Sequence, residues 1–316
     1  MRYLIAAIAV ALGALISARA PEAAEIHVSH FGQVMPSVTW AVALEQDLFR
    51  KNGIDVTDVI SSQGGGTTLR NMLAGGVPFA DAAVGATVAG IRAGLPVKVV
   101  GIAINNAADN AWVVLANSPI KSLRDVIGRK FGTTNPGGVT RVFGEMLLKK
   151  HGIETSQVTQ VALGVGAGIA AIDSGAVDAT YVLEPLLSRY AEKYRVIARV
   201  SEVLPKVTPN VLIASQDLID KEPEKLRALL KAHKQAVEFI YSNPKEAARL
   251  AMKRMVNIDE PSLTRAVERM TEARYYSDGS FEADALEGTR QLLEATGDIK
   301  GAFDFETIID RRFRPQ

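Results

Sequence analysis

Two loops in this chain carry the residue types that hold a small polar molecule. One reads Gly64-Gly65-Gly66-Thr67-Thr68, the other Thr133-Thr134-Asn135-Pro136-Gly137-Gly138-Val139-Thr140, and each opens a helical pattern. Glycine lets a ligand approach the backbone, and threonine adds a hydroxyl. A helix N-terminus adds unpaired N–H groups and a partial positive charge, so the combination favours an anion. An ordinary turn before a capped helix reads the same way, and the loops alone do not separate the two. Neither holds the lysine of a phosphate-binding loop or a GxGxxG after a strand, so a nucleotide is not expected. Arg70 and Arg141 lie just inside the two helices. Facing a cleft, either would fork onto a sulfonate or carboxylate; a solvated helix face is the alternative.

Ligands of open α/β sheets bind beyond the carboxyl ends of strands. That rule selects four loops, with Gln33 and Ser37 after the first strand and Gly65, Gly66 and Thr67 after the second. Gly85 and Ala86 follow the third, and Asn135, Gly137, Gly138, Val139 and Thr140 follow a strand of the second half. Glu184 follows an apolar strand and precedes Pro185. It either faces the cleft, taking an amine or hydroxyl, or complements the dipole of its own helix. His30 ends the first strand, and Trp112 either stacks on a ligand or packs within a lobe. Trp40 falls among Val38, Val42 and Leu44 at core spacing. The four histidines are scattered, so no metal site is proposed, and no cofactor is expected. Neither GxSxG nor HExxH occurs, and the chain has no cysteine, which excludes thiol catalysis, disulfides and cysteine-ligated metals.

The elements that must position these residues alternate between strand and helix. Strands are expected over 26–29, 54–60, 79–84 and 97–104, with helices over 37–49, 67–74 and 85–93 between them. A second set follows, with strands over 112–116, 130–133, 158–163 and 179–183 and helices over 141–150 and 169–174. A strand over 210–215 then leads to a run of helices from Pro223 onward. Few hairpin signals occur, so mostly parallel sheets covered by helices are predicted. The stretches Leu73-Ala74-Gly75-Gly76-Val77-Pro78-Phe79 and Ile172-Asp173-Ser174-Gly175-Ala176-Val177 read as one device used twice: a helix ending at glycine and a turn into an apolar strand. The division expected is a first lobe over 25–110, a second over 111–208 inserted into it, and a mostly helical return over 209–316. Two crossings between lobes make a hinge.

The 316 residues include 36 basic and 35 acidic side chains, a formal charge of +1, with no basic face interleaved with aromatics; nucleic acid is not an expected partner. A monomer is the default. Met1-Arg2-Tyr3 and the apolar residues 4–16 read as a secretory signal occupying 1–24, cut between Arg19 and Glu25. The run is shorter than the roughly 20 residues of a spanning helix; an uncleaved anchor is the other reading. No cysteine follows for lipid attachment, so a free periplasmic protein is expected.

In this order, the motifs resemble the periplasmic solute-binding proteins of ABC importers, nearest the SsuA-like group that binds sulfonates, taurine, nitrate and pyrimidine precursors. The resemblance rests on residues 40–56, 73–90 and 94–100, then Ile120-Lys121-Ser122-Leu123-Arg124-Asp125, Gly175-Ala176-Val177-Asp178-Ala179, Glu184-Pro185 and Asn243-Pro244-Lys245-Glu246. It implies a two-lobed type II periplasmic-binding fold with a two-stranded hinge. It further implies capture of a small solute, sulfonate- or carboxylate-like, without catalysis, and delivery to an inner-membrane ABC permease. The group often carries an aromatic residue before the acid–proline pair, where this chain has Leu183. A sensor module, or an exported enzyme on the same fold, are the alternatives.

Overall fold

The computed structural model describes residues 24–74, 78–134, 139–163, 167–301 and 303–313. Nearly all of the expected signal segment, together with Gly75, Gly76, Asn135, Gly137 and Gly138, lies outside them. First come β1 (Ala24–Ser29), α1 (Ser37–Glu45), α2 (Leu48–Lys51), β2 (Val56–Ser62), α3 (Gly65–Ala74), β3 (Phe79–Ala83), α4 (Val84–Arg92) and β4 (Val97–Ile104). The chain crosses to β5 (Asn110–Leu115), β6 (Lys130–Thr133), α5 (Val139–Lys150), β7 (Thr159–Ala162), α6 (Gly168–Asp173), β8 (Thr180–Leu183), α7 (Leu186–Arg189) and β9 (Tyr194–Arg199). It returns through β10 (Asn210–Ser215) to α8 (Gln216–Lys221), α9 (Pro223–Ser242), α10 (Pro244–Ala251), α11 (Glu260–Glu272), β11 (Tyr276–Gly279) and α12 (Ala283–Thr296). No helix among the described residues is long and apolar enough to cross a membrane.

The first sheet has the order β11-β4-β10-β3-β1-β2. The second lobe holds β8-β5-β9 and the pair β6-β7, joined by a bridge from Phe131 to Ala179. Pairing is mixed rather than mostly parallel. Strands β2, β1 and β3 run parallel, as strand–helix–strand units require. Strand β10 is antiparallel to both β3 and β4. The reason is the double crossing. β4 leaves the first sheet at its C-terminal end, and β10 enters at that same end, pairing Val211 with Ile102 and Ser215 with Val97. The strands β5 and β9 repeat this in the second lobe, with Ala111 opposite Arg199.

The return segment is not wholly helical. Tyr275 and Tyr276 are buried, and β11 adds an antiparallel edge to β4. α9 turns Leu226, Leu229, Leu230, His233, Val237 and Ile240 inward. They share one core with Ile26, Val28, Trp40 and Val42 of the first lobe, so the C-terminal helices cover the first sheet. Each fully buried leucine contributes roughly 1.5–3 kcal/mol. At Asn243-Pro244-Lys245-Glu246, which has the residues of an N-cap, Pro244 opens α10, but the Asn243 side chain makes no cap bond, and Glu246 pairs with Arg249. Asp259 does cap α11, accepting from the Ser262 N–H at 2.9 Å.

The crossings are fastened from the first-lobe side. Asn106 Nδ2 donates to the Ala273 carbonyl at 2.9 Å, and Asn105 Nδ2 to that of Tyr276 at 3.2 Å. The Val207 N–H donates to the Asn105 carbonyl. A Cβ at Gly288 would stand 1.9 Å from the Lys206 carbonyl oxygen, so only glycine lets α12 lie against the second crossing. Asp109 is buried at the first crossing and accepts from Asn110 Nδ2 at 2.8 Å. Burial pushes its carboxyl up to about 6, against hydrogen bonds from Asn110 and Tyr275 that lower it. A carboxyl raised in the folded state favours folding while protonated, and that contribution is lost as pH rises from about 4 through 6. Asp109→Asn does not titrate. Its stability relative to the parent should therefore rise across pH 4–6, by on the order of 2 kcal/mol, and stay flat above. Urea melts at stepped pH check this; a pH-independent difference would refute it.

Candidate functional site

A cleft of about 530 Å³ opens between the two lobes. Its first-lobe wall is the loop after β1 (His30, Gly32, Gln33, Val34) and the segment before α11 (Met255, Val256, Asn257, Ile258). Its second-lobe wall is Thr140 at the start of α5, Gly168 and Ile169 at the start of α6, and the end of β8 with Glu184, Pro185 and Leu186.

The first-lobe wall is a knot of backbone bonds. Beyond β1 the chain turns at His30, which has φ 56°, and the His30 N–H donates to the Ser62 carbonyl at 2.9 Å. Gly32 has φ 83° and sits so close to the second loop that a Cβ would meet the Arg254 carbonyl at 2.9 Å. The Val256 N–H donates to the Gly32 carbonyl, which joins the two loops. Asn257 has φ 61°. Four non-glycine residues in the described chain have positive φ, and two of them, His30 and Asn257, line the cleft. Backbone held in this region costs energy that the surrounding bonds must supply.

The second-lobe wall turns on Glu184. Its side chain is fully buried, and the Glu184–Pro185 bond is cis. Carboxylate oxygen Oε2 accepts from the Ser188 N–H at 2.9 Å, in the first turn of α7. Oε1 pairs with Arg269 Nη1 at 2.6 Å, on α11 of the other lobe. Beside it, Arg265 Nη2 donates to the Ser188 carbonyl at 3.1 Å, and the Arg189 guanidinium to that of Asn257. Glu184 therefore complements its own helix, lines the cleft and reaches across the lobes.

Of the residues singled out in the sequence, His30, Gln33, Thr140 and Glu184 line this cleft. Others stand elsewhere. Ser37 is fully buried and accepts from the Gly32 N–H at 2.9 Å, shaping the loop from behind. Gly65 is a contact between helices: a Cβ there would lie 2.7 Å from the Ala86 Cβ, so Gly65 and Ala86 let α3 and α4 approach. A Cβ on Gly85 would strike Asp298 Oδ2 at 2.7 Å. Gly66 has Arg70 as its neighbour, and Thr67 Oγ1 accepts from that arginine at 3.0 Å. Val139 is exposed and is not part of the wall. Arg141 pairs with Glu145 at 2.8 Å on its own helix. Trp112 is buried, stacks on Phe131 at 5.5 Å between ring centroids, and donates from Nε1 to the Gly132 carbonyl. Close helix packing explains the small residues of α3 and α4, and the aromatic core of the second lobe explains Trp112.

Sequence reasoning missed Arg269 and the segment from Met255 to Ile258. The first gave no signal, being one arginine among many on amphipathic helices. The second gave a faint one, since asparagine adopts positive φ more readily than most residues. Burial lowers the pKa of His30, so its ring is neutral at pH 7. The described cleft wall holds no lysine or arginine.

Arg269→Ala would strand a buried carboxylate. It should cost roughly 2–3 kcal/mol, below the upper range for buried pairs because Arg269 is partly exposed; chemical denaturation measures this, and a cost under about 0.5 kcal/mol would refute the pairing. Arg141→Ala should leave solute affinity within twofold of the parent; a loss of about 2 kcal/mol in calorimetric titration would return Arg141 to the site.

A binding protein of Brucella abortus (strain 2308) is 24% identical over 265 residues, covering 81% of this chain and 79% of that protein. An aliphatic sulfonates-binding protein of Bacillus subtilis (strain 168) is 26% identical over 206 residues, 65% of this chain and 61% of that one. Among solved structures, the periplasmic aliphatic sulphonate binding protein SsuA of Escherichia coli matches with TM-score 0.74 at 17% identity, covering 92% of this chain and 98% of that one. The desulfurization enzyme DszB matches with TM-score 0.68 at 14% identity, covering 92% and 97%. The fold is thus the two-lobed periplasmic-binding fold, and it serves both binding proteins and an enzyme. The family model described as NMT1/THI5 like matches residues 37–247, and the chain belongs to that family.

Proposed function

We propose that this chain is the solute-binding component of an ABC import system, which captures a small organic molecule in the periplasm and passes it to a membrane permease. The observation that carries this is the cleft itself: its two walls belong to separate sheets joined by two backbone crossings. A solute touching both walls favours the closed arrangement by as much as it prefers it, and closure would give the permease one continuous surface. The curated relatives described as binding proteins support the reading, as does the export signal expected over 1–24.

The fold is neutral on catalysis, since DszB shares it. The wall favours binding. Its described residues include Thr140, Tyr181 and His30 but no serine, cysteine or lysine, and its one carboxylate is engaged by Arg269 and Ser188. A nucleophile with an adjacent base is what group transfer would ask for. Ligand-driven closure should reduce the radius of gyration in X-ray scattering. At a hundredfold excess over Kd it should stabilise the fold by about 2.7 kcal/mol. A solute extracted from the exported protein and identified by mass spectrometry is the probe. A chain that yields no solute, and whose scattering and melting temperature respond to none offered, would refute the proposal.

A further inference from the structure

The wall chemistry narrows the class of solute, on the reading that this chain is a solute-binding component. Val34, Ile169, Leu183, Leu186, Val256 and Ile258 give both sides of the cleft an apolar surface. Val256 stands 61% exposed at that wall, apolar area that a ligand would cover. Burying such area is worth most to a solute with a hydrocarbon body.

Charge points the same way. An anion brought out of water needs a cation or a full set of donors. The described wall has no lysine or arginine. Arg141 is paired with Glu145, and Arg70 is bonded to Thr67. Arg269 is held by Glu184, a carboxylate with no exposed side-chain area. An anion that captured Arg269 would take from that buried carboxylate its direct ion-pair partner, leaving it the Ser188 N–H and the charge of nearby Arg199. The starts of α5 and α6, at Thr140 and Gly168, present N–H groups and a partial positive charge that a carbonyl or hydroxyl oxygen of the solute can use. The His30 ring, the Gln33 and Asn257 amides and the Thr140 hydroxyl supply polar groups without charge.

We infer that the cleft takes an uncharged, largely apolar organic solute, of ring or medium-chain size with one or two hydrogen-bonding groups, in place of the small anion expected from the glycine loops. Such a solute spends its affinity on carbon, so binding should grow with chain length and fall when a charge is added.

Calorimetric titration of the exported chain with matched pairs tests this: benzamide against benzoate, octanamide against octanoate, hexanesulfonamide against hexanesulfonate. The neutral member of each pair should bind at least tenfold more tightly, and each added methylene in the alkanamide series should improve Kd about fourfold. Val256→Lys changes an exposed side chain while leaving its backbone bond to Gly32 in place, and should move the preference about tenfold toward the acids. Saturable binding that favours the acids, or that treats methanesulfonate and hexanesulfonate alike, overturns this inference and leaves the solute-binding reading standing. No binding by any member, with no solute recovered from the exported protein, overturns both.

Discussion

The ion pair between Glu184 and Arg269 ties together parts of the molecule that no peptide bond connects. Glu184 follows β8 of the second lobe, while Arg269 lies on a helix that covers the first. A buried carboxylate without a partner is costly, and its partner here is supplied from across the cleft. Around the pair, Arg265 and Arg189 donate to carbonyls of the opposite lobe, so α7 is docked by three guanidinium contacts. These bonds hold the lobes in their present relation, and the cleft lies beside them. Any change in lobe angle has to rearrange them, which gives the opening of the cleft a specific energetic cost.

The topology explains why such a device is available. Because the second lobe is inserted, the chain leaves the first sheet on β4 and returns on β10, antiparallel and adjacent. The two crossings therefore run side by side. Asn105 and Asn106 bond to the turn between α11 and β11, and Gly288 lets α12 press on the other crossing. The C-terminal helices thus cover the first sheet and brace the hinge. Arg269 is carried on the same helix whose end is bonded to the first crossing, so hinge and ion pair share one rigid support.

Much of this was legible in the sequence because it is local. The 3.6-residue spacing of Leu226, Leu229, His233, Val237 and Ile240 needs only a helix with one wet face. The alternation of strands and helices marks two α/β lobes, and the apolar strand before Glu184-Pro185 marks a turn. Strand direction was less legible, since β10 and β9 are antiparallel through the crossings rather than through any hairpin signal. The candidate site was half legible. His30, Gln33, Thr140 and Glu184 follow strands or open helices at the lobe interface, whereas Gly65, Ala86 and Trp112 have the same kinds of residue in positions that packing claimed.

The sequence by itself determined the elements, the division of apolar and polar faces, and the stretches from which a binding wall could be built, because propensity, capping and periodicity act over a few residues. Only the tertiary structure decided which of those stretches meet. Glu184 and Arg269 are 85 residues apart, and the loop at Gly32 is bonded to Val256. Charge and shape in the cleft arise from such distant pairs. Whether a carboxylate is free or neutralised, and whether an arginine faces a ligand or its own helix, depends on contacts made only when the two lobes come together.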